Sequence, residues 1–173
     1  MHHPSNGTRK AARLLVAAAT SGALLAGASA ASAAPPRSAP VTPAYGAEHR
    51  TAPNKALVVT FFNQLFDDGD LAAVDRFVRP DYTQHNPMLA DGPQALGDWV
   101  TGLKAAYPES HVTIKRVIAE GDLVILHSNF VLEPGTAGTA AIDTFRLDQG
   151  MIAEHWDVLQ PVPETSANGN TMF

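Results

Sequence analysis

The chain has 173 residues and no cysteine. That absence excludes disulfide staples, a thiolate nucleophile, a thiolate-ligated metal and a lipid on an N-terminal cysteine. Basic residues are scarce and unevenly placed. Three of the 12 Lys and Arg (Arg9, Lys10 and Arg13) fall in residues 1–33, which hold no acidic residue. The remainder keeps 9 basic residues against 17 acidic ones, a formal charge of −8. With no Lys/Arg cluster left, neither nucleic acid nor an anionic membrane surface is an expected partner. Also missing are a Gly-rich phosphate loop and a Gly-x-Ser-x-Gly turn, so phosphoryl transfer, hydride transfer and serine hydrolysis have no footing.

The first segment differs in texture from the rest. Its basic start leads into an apolar run from Leu14 to Gly27, followed by Ala28-Ser29-Ala30 and Ala31-Ser32-Ala33. This is the form of a cleavable export signal, cut after Ala30 or Ala33. The run is shorter than the ~20 strongly apolar residues of a membrane span. Residues 34–52, with Pro35, Pro36, Pro40 and Pro43 and no apolar period, read as a disordered linker. The expectation is a secreted protein in which residues 53–173 form one domain.

Within that domain the texture is helical first and β afterwards. A helix opens at Pro53-Asn54, with Ala56, Val59, Thr60, Phe62, Asn63 and Phe66 as its expected apolar stripe. Asp67-Asp68-Gly69-Asp70 ends it, and Asp70 caps a second helix with Leu71, Val74 and Phe77 inward, stopped by Pro80. A short strand at Tyr82 runs into an Asn86-Pro87 turn. The third helix spans Gln94–Ala106, with Leu96, Trp99, Val100 and Leu103 inward. Strands follow at 112–119, 123–132, 139–147 and 151–159. Three helices and then an antiparallel meander is an α+β pattern, with the helices on one face of a curved sheet.

The residues able to carry chemistry lie on these strands. Alternation puts His127 and Asn129 on one side of their strand, Asp143, Phe145 and Leu147 on one side of the next, and His155 and Asp157 together on the last. The final hairpin decides whether these sets meet. A three-residue loop, Asp148-Gln149-Gly150, sets Asp143 opposite His155 and beside Asp157, and lets Arg146 reach Glu154 on the other face. A two-residue loop sets Asp143 opposite Trp156. The three-residue loop is the expected one because it gathers the acids with the imidazole. A histidine beside carboxylates in a half-dry cavity suits proton transfer; the same groups could equally form a satisfied polar network steadying the sheet. His85 is expected near the cavity rim. His85, His127, His155 and Asp157 are metal-compatible ligand types, but no His-x₃-His or similar spacing marks a site. No metal is expected.

Three stretches carry a resemblance: Tyr82-Thr83-Gln84-His85-Asn86-Pro87, Asp143-Thr144-Phe145-Arg146, and Gly150-Met151-Ile152-Ala153-Glu154-His155-Trp156-Asp157 running on to Pro161. Together with the Asn168–Phe173 ending they resemble the SnoaL-like branch of the nuclear transport factor 2 superfamily, over residues 54 to 173. The resemblance implies a cone of three helices on a strongly bent antiparallel sheet, a central pocket, and dimerisation through the sheet. Its best-described members are polyketide cyclases that close a ring by aldol condensation, needing neither metal nor cofactor. By motif position Asp157 matches the proton-abstracting acid. His127, Asn129 and His155 would bond the substrate or enolate, and Asp143 would be a second acid or a support for His155. Tyr82, Gln84, His85, Asn86, Trp99 and Phe145 would complete a substrate-binding lining. Two functions remain open: a lyase or isomerase acting on a small carbonyl compound, and a secreted binding protein holding a small ligand without turnover.

Overall fold

A computed structural model describes residues 48–173. The expected signal segment and residues 34–47 of the expected linker lie outside the described residues. The first helix, α1 (Glu48–Phe66), begins five residues inside the stretch expected as linker, so Pro53 falls within it rather than at its start. Its buried residues are Asn54, Val58, Phe61, Phe62 and Leu65, a stripe displaced from the expected one. Ala56, Thr60 and Asn63 face solvent. The apolar pairs Val58-Val59, Phe61-Phe62 and Leu65-Phe66 permit two stripes one residue apart. The core selects the one that places both Phe61 and Leu65 inside.

The short α2 (Ala72–Phe77) has Leu71 at its N-cap rather than the expected Asp70, though Asp70 Oδ1 accepts the Ala72 N–H at 3.0 Å from one residue further back. Ala73 and Val74 face inward, while Leu71, expected inside, is exposed. Pro80 does not stop a helix. It lies inside β1 (Val78–Gln84), at the margin of a sheet ordered β1-β5-β4-β3-β2. An edge strand tolerates a residue without an N–H, and pairing with β5 lapses between Val78 and Thr83. Then come α3 (Pro93–Ala106), β2 (His111–Glu120), β3 (Leu123–Val131), β4 (Thr139–Asp148) and β5 (Met151–Pro161). β1 runs parallel to β5 and every other pair is antiparallel.

The helices cover one sheet face. Phe61 and Phe62 of α1 meet Phe145 of β4 edge-on at 6.2 and 6.0 Å. Val100 of α3, Val124 and Leu126 of β3 and Ile152 of β5 complete a dry centre. Among the described residues no helix is long and apolar enough to cross a membrane.

The β4–β5 hairpin departs from the expected register in an instructive way. Its loop has two residues, Gln149 and Gly150, both at positive φ (52° and 79°), with Asp148 paired to Met151. This is the mirror-image turn that matches strand twist. Continued unchanged, it would have set Asp143 against Trp156. A bulge intervenes: Leu147 pairs with Ile152, but Arg146 pairs with Glu154, and Ala153 is the extra residue. The two shifts add to one full period. Asp143 therefore stands opposite Asp157, not His155, yet Asp143, His155 and Asp157 still share one face. Arg146 and Glu154 pair directly on the other, with Nε 2.6 Å from Oε1.

Candidate functional site

The inner face of the sheet carries a polar cluster where β3, β4, β5 and the end of β1 meet. His155 is 9 % exposed and lies against the Phe145 ring at 4.8 Å. Its Nδ1 is 3.0 Å from Gln84 Oε1, and its Nε2 is 3.4 Å from Asp143 Oδ1. Asp143, 6 % exposed, receives the Ser128 hydroxyl on its other oxygen at 3.3 Å. Half-buried Asp157 accepts the Asn86 amide at 2.7 Å. One ligand-type atom from each of Asp143, His155 and Asp157 lies within 4.8 Å of the others. An imidazole and two carboxylates at this spacing can pass a proton, and their donor types could also hold a divalent cation.

The segment after β1 shapes the cluster's edge. The His85 N–H donates to the His155 carbonyl at 2.9 Å. Asn86 then turns the chain, with Oδ1 accepting the Met88 N–H at 2.8 Å while its amide nitrogen reaches Asp157. Asp91 returns to accept the Gln84 N–H at 2.7 Å. This Asx turn is what Asn-Pro does in a loop; here it also presents one side chain to the site.

A small cavity opens beside His155. Phe61, Phe66, Tyr82, Leu96, Phe145, Ile152 and His155 line it, and the surface they present to it is apolar. It has room for one ordered water. Tyr82 is 4 % exposed, and its hydroxyl oxygen accepts the Gln84 side-chain amide at 2.9 Å. Burial pushes the Tyr82 phenol well above its ordinary value, and the carboxylates of Asp157, Asp91 and Asp143 push it further. The phenol is therefore neutral around pH 7.

Four of the expected site residues sit elsewhere. His127 and Asn129 do share one side of β3, but that side is the outer one. Val124, Leu126 and Ser128 are fully buried on the inner face. His127 Nδ1 meets Arg116 at 3.0 Å, and the His127 ring tilts against Phe173 at 5.5 Å. Asn129 Oδ1 is buried without a hydrogen bond, close against Gly138. His85 also lies outside, stacked on Trp156 at 4.3 Å with its Nε2 2.9 Å from Glu154 Oε2. Trp99 packs edge-on to Phe66 at 6.1 Å and is not part of the cavity wall. In each strand case the apolar set of the alternation decides the inner face, and β3 has Leu126 and Phe130 opposite its histidine. Ser128 was missed although it interrupts that apolar set, which is the signal of a polar residue facing the core.

The SnoaL-like domain model matches residues 58–155. No curated protein matches the chain. Among solved structures, TsrD of Streptomyces laurentii superposes with a TM-score of 0.54 at 21 % identity, covering 62 % of this chain and 88 % of that one. IdmH of Streptomyces antibioticus, a proposed polyketide cyclase, gives 0.52 at 17 % identity over 61 % and 91 %. An NTF2-like protein of unknown function from Cytophaga hutchinsonii gives 0.53 at 18 % over 62 % and 90 %. At such identities the likeness is one of fold: three helices against a five-stranded, mostly antiparallel sheet, the nuclear transport factor 2-like α+β arrangement.

Proposed function

The chain belongs to the SnoaL-like domain family, and from that premise we propose that it is a cofactor-free lyase or isomerase acting on a small carbonyl compound. The observation that carries this reading is the grouping of Asp143, His155 and Asp157 within 4.8 Å on the inner face, beside an apolar cavity that has room for one water as it stands and must open for a substrate to enter. Asp157 is the base. Asn86 occupies its Oδ2, which leaves Oδ1 to take a proton from the carbon beside the carbonyl. The electron pair moves onto the carbonyl oxygen, and the enolate is met by the O–H of Tyr82 and by His155. Return of the proton to another carbon gives an isomerase; attack of the enolate carbon on a second carbonyl forms the carbon–carbon bond of an aldol product. Asp143 supports His155. The outer-face His127 has no part in this scheme.

A panel of small cyclic ketones and β-keto esters in D₂O tests the reading. Deuterium gained at the carbon beside the carbonyl, above the buffer rate, is the expected result in mass spectra. A panel with no gain over buffer removes it. A second reading, a binding protein without turnover, is favoured by the wholly apolar walls at Phe61, Phe66, Leu96 and Phe145. Its mark is a panel member retained in native mass spectrometry with no deuterium gained.

Two further properties belong to the same proposal. The protein is exported, with its mature N-terminus at residue 31 or 34, as N-terminal sequencing of secreted material would read. It is also a homodimer through the outer sheet face, where Ile118, Ile142 and Val158 are exposed and Ile142 stands opposite Val158.

A further inference from the structure

Gln84 touches three groups at once, and their chemistry leaves its amide a single orientation. Its Oε1 lies 2.9 Å from the backbone nitrogen of Asn86, which can only donate. Oε1 is therefore the acceptor end, whatever the density of choices elsewhere. The same oxygen lies 3.0 Å from His155 Nδ1, so that nitrogen must carry a hydrogen. At the other end, Gln84 Nε2 donates to the Tyr82 oxygen at 2.9 Å. That fills an acceptor position of the phenol and leaves its O–H to act as a donor elsewhere.

From this the geometry points to Gln84 as a positioning residue that sets the hydrogen-bond polarity of the pocket, not as a substrate ligand. It pins His155 with its hydrogen on Nδ1. Nε2 is then the nitrogen that faces Asp143 Oδ1, at 3.4 Å. With Nδ1–H fixed on Gln84, the second ring nitrogen is the one left to the Asp143 carboxyl. The same amide leaves Tyr82 as a donor. One side chain thereby orders both the His155 imidazole and the Tyr82 phenol, the two groups that the proposed function sets against an enolate. The catalytic meaning of this arrangement rests on the function proposed above; the tautomer itself does not.

The test is ¹⁵N spectroscopy of the full chain labelled at histidine, with the His155 signals assigned by their loss in His155→Gln. In the native protein the His155 Nδ1 is expected to be of the hydrogen-bearing type. Gln84→Met keeps the length but offers no acceptor, and the hydrogen is expected to move to Nε2, donating to Asp143. Gln84→Glu restores an acceptor for Nδ1–H and should restore the native tautomer. A neutral His155 carrying its hydrogen on Nε2 in the native protein overturns the proposal, and the native spectrum suffices for that even if Gln84→Met does not fold. A native tautomer that persists in Gln84→Met overturns the role of Gln84. None of these spectra needs a substrate. A hydrogen on Nδ1 together with no deuterium gained by any ketone would leave the clamp standing and remove the enzymatic reading alone.

Discussion

Asp143 and Asp157 stand directly opposite one another across β4 and β5. Like charges in facing positions destabilise a sheet by ~0.2–1 kcal/mol. Ser128 and Asn86 each hydrogen-bond one of the two carboxylates and His155 Nε2 lies 3.4 Å from Asp143, but no Lys or Arg pairs with either one among the ion pairs of the described residues. A site kept at a cost to stability is one with a use. Asp157→Asn should therefore raise stability by about 0.2–1 kcal/mol, read as a higher urea midpoint with an unchanged slope. A fall in the midpoint would make the carboxylate part of a structural network.

Gly138 lies at φ +76°, and a Cβ there would sit 2.5 Å from Asn129 Oδ1 and 2.7 Å from the Phe130 carbonyl. The backbone conformation alone costs a non-glycine residue roughly 1–3 kcal/mol, and the carbonyl cannot yield. Gly138→Ala is expected to lose at least ~2 kcal/mol in chemical denaturation, whereas Gly150→Ala, at φ +79° but in open space, should lose less.

Phe145 is 3 % exposed and joins the helical layer to the site, touching Phe61, Phe62 and His155. Phe145→Ala should cost ~3–5 kcal/mol. It should also enlarge the cavity beside His155, so that a benzene-sized ligand raises the melting temperature of the variant and not that of the native chain.

Much of this was legible in the sequence because alternation is local. Asp143, Phe145 and Leu147, and likewise His155 and Asp157, fall on one face whatever the pairing. The register was not legible. A two-residue turn and a bulge at Ala153 each shift it by one, and their sum restores the parity that the three-residue loop would have given. Arg146 and Glu154 thus meet for a different reason from the one expected. His127 failed through the choice of face: β3 carries its apolar set at Leu126 and Phe130, and burial follows that set. In α1 the doubled apolar residues made the stripe ambiguous by one position, which only the packing of Phe61 against Phe77 and Phe145 resolves.

Glu154 on the outer face is held below its ordinary carboxylate range, first by the His85 hydrogen bond and then by that of Arg146. A carboxyl lowered in the folded state contributes stability above its unfolded value, and that contribution is lost as pH falls through the lowered one. Glu154→Gln should be less stable than the native chain at neutral pH, with the gap closing as the pH drops below the ordinary carboxyl value of 4.5. Denaturation midpoints between pH 7 and 3 read it; a gap independent of pH would mean that packing, not charge, is responsible.

Ile142 and Val158 face each other with 41 % and 71 % of their surface exposed. If the outer sheet face is the dimer surface, Ile142→Lys should convert a dimer to a monomer in sedimentation while changing the urea midpoint little. A native chain that sediments as a monomer would end the dimer proposal.

Loss of deuterium wash-in on substituting the inner-face acid, set beside its survival on substituting the outer-face imidazole, is the most direct measurement of whether this cluster moves protons. Asp157→Asn should reduce exchange at the carbon beside the carbonyl by at least about 100-fold, with the fold intact by circular dichroism, while His127→Ala should leave it at the native rate. Exchange that persists in Asp157→Asn, or disappears in His127→Ala, would contradict the assignment of the reaction to the inner face.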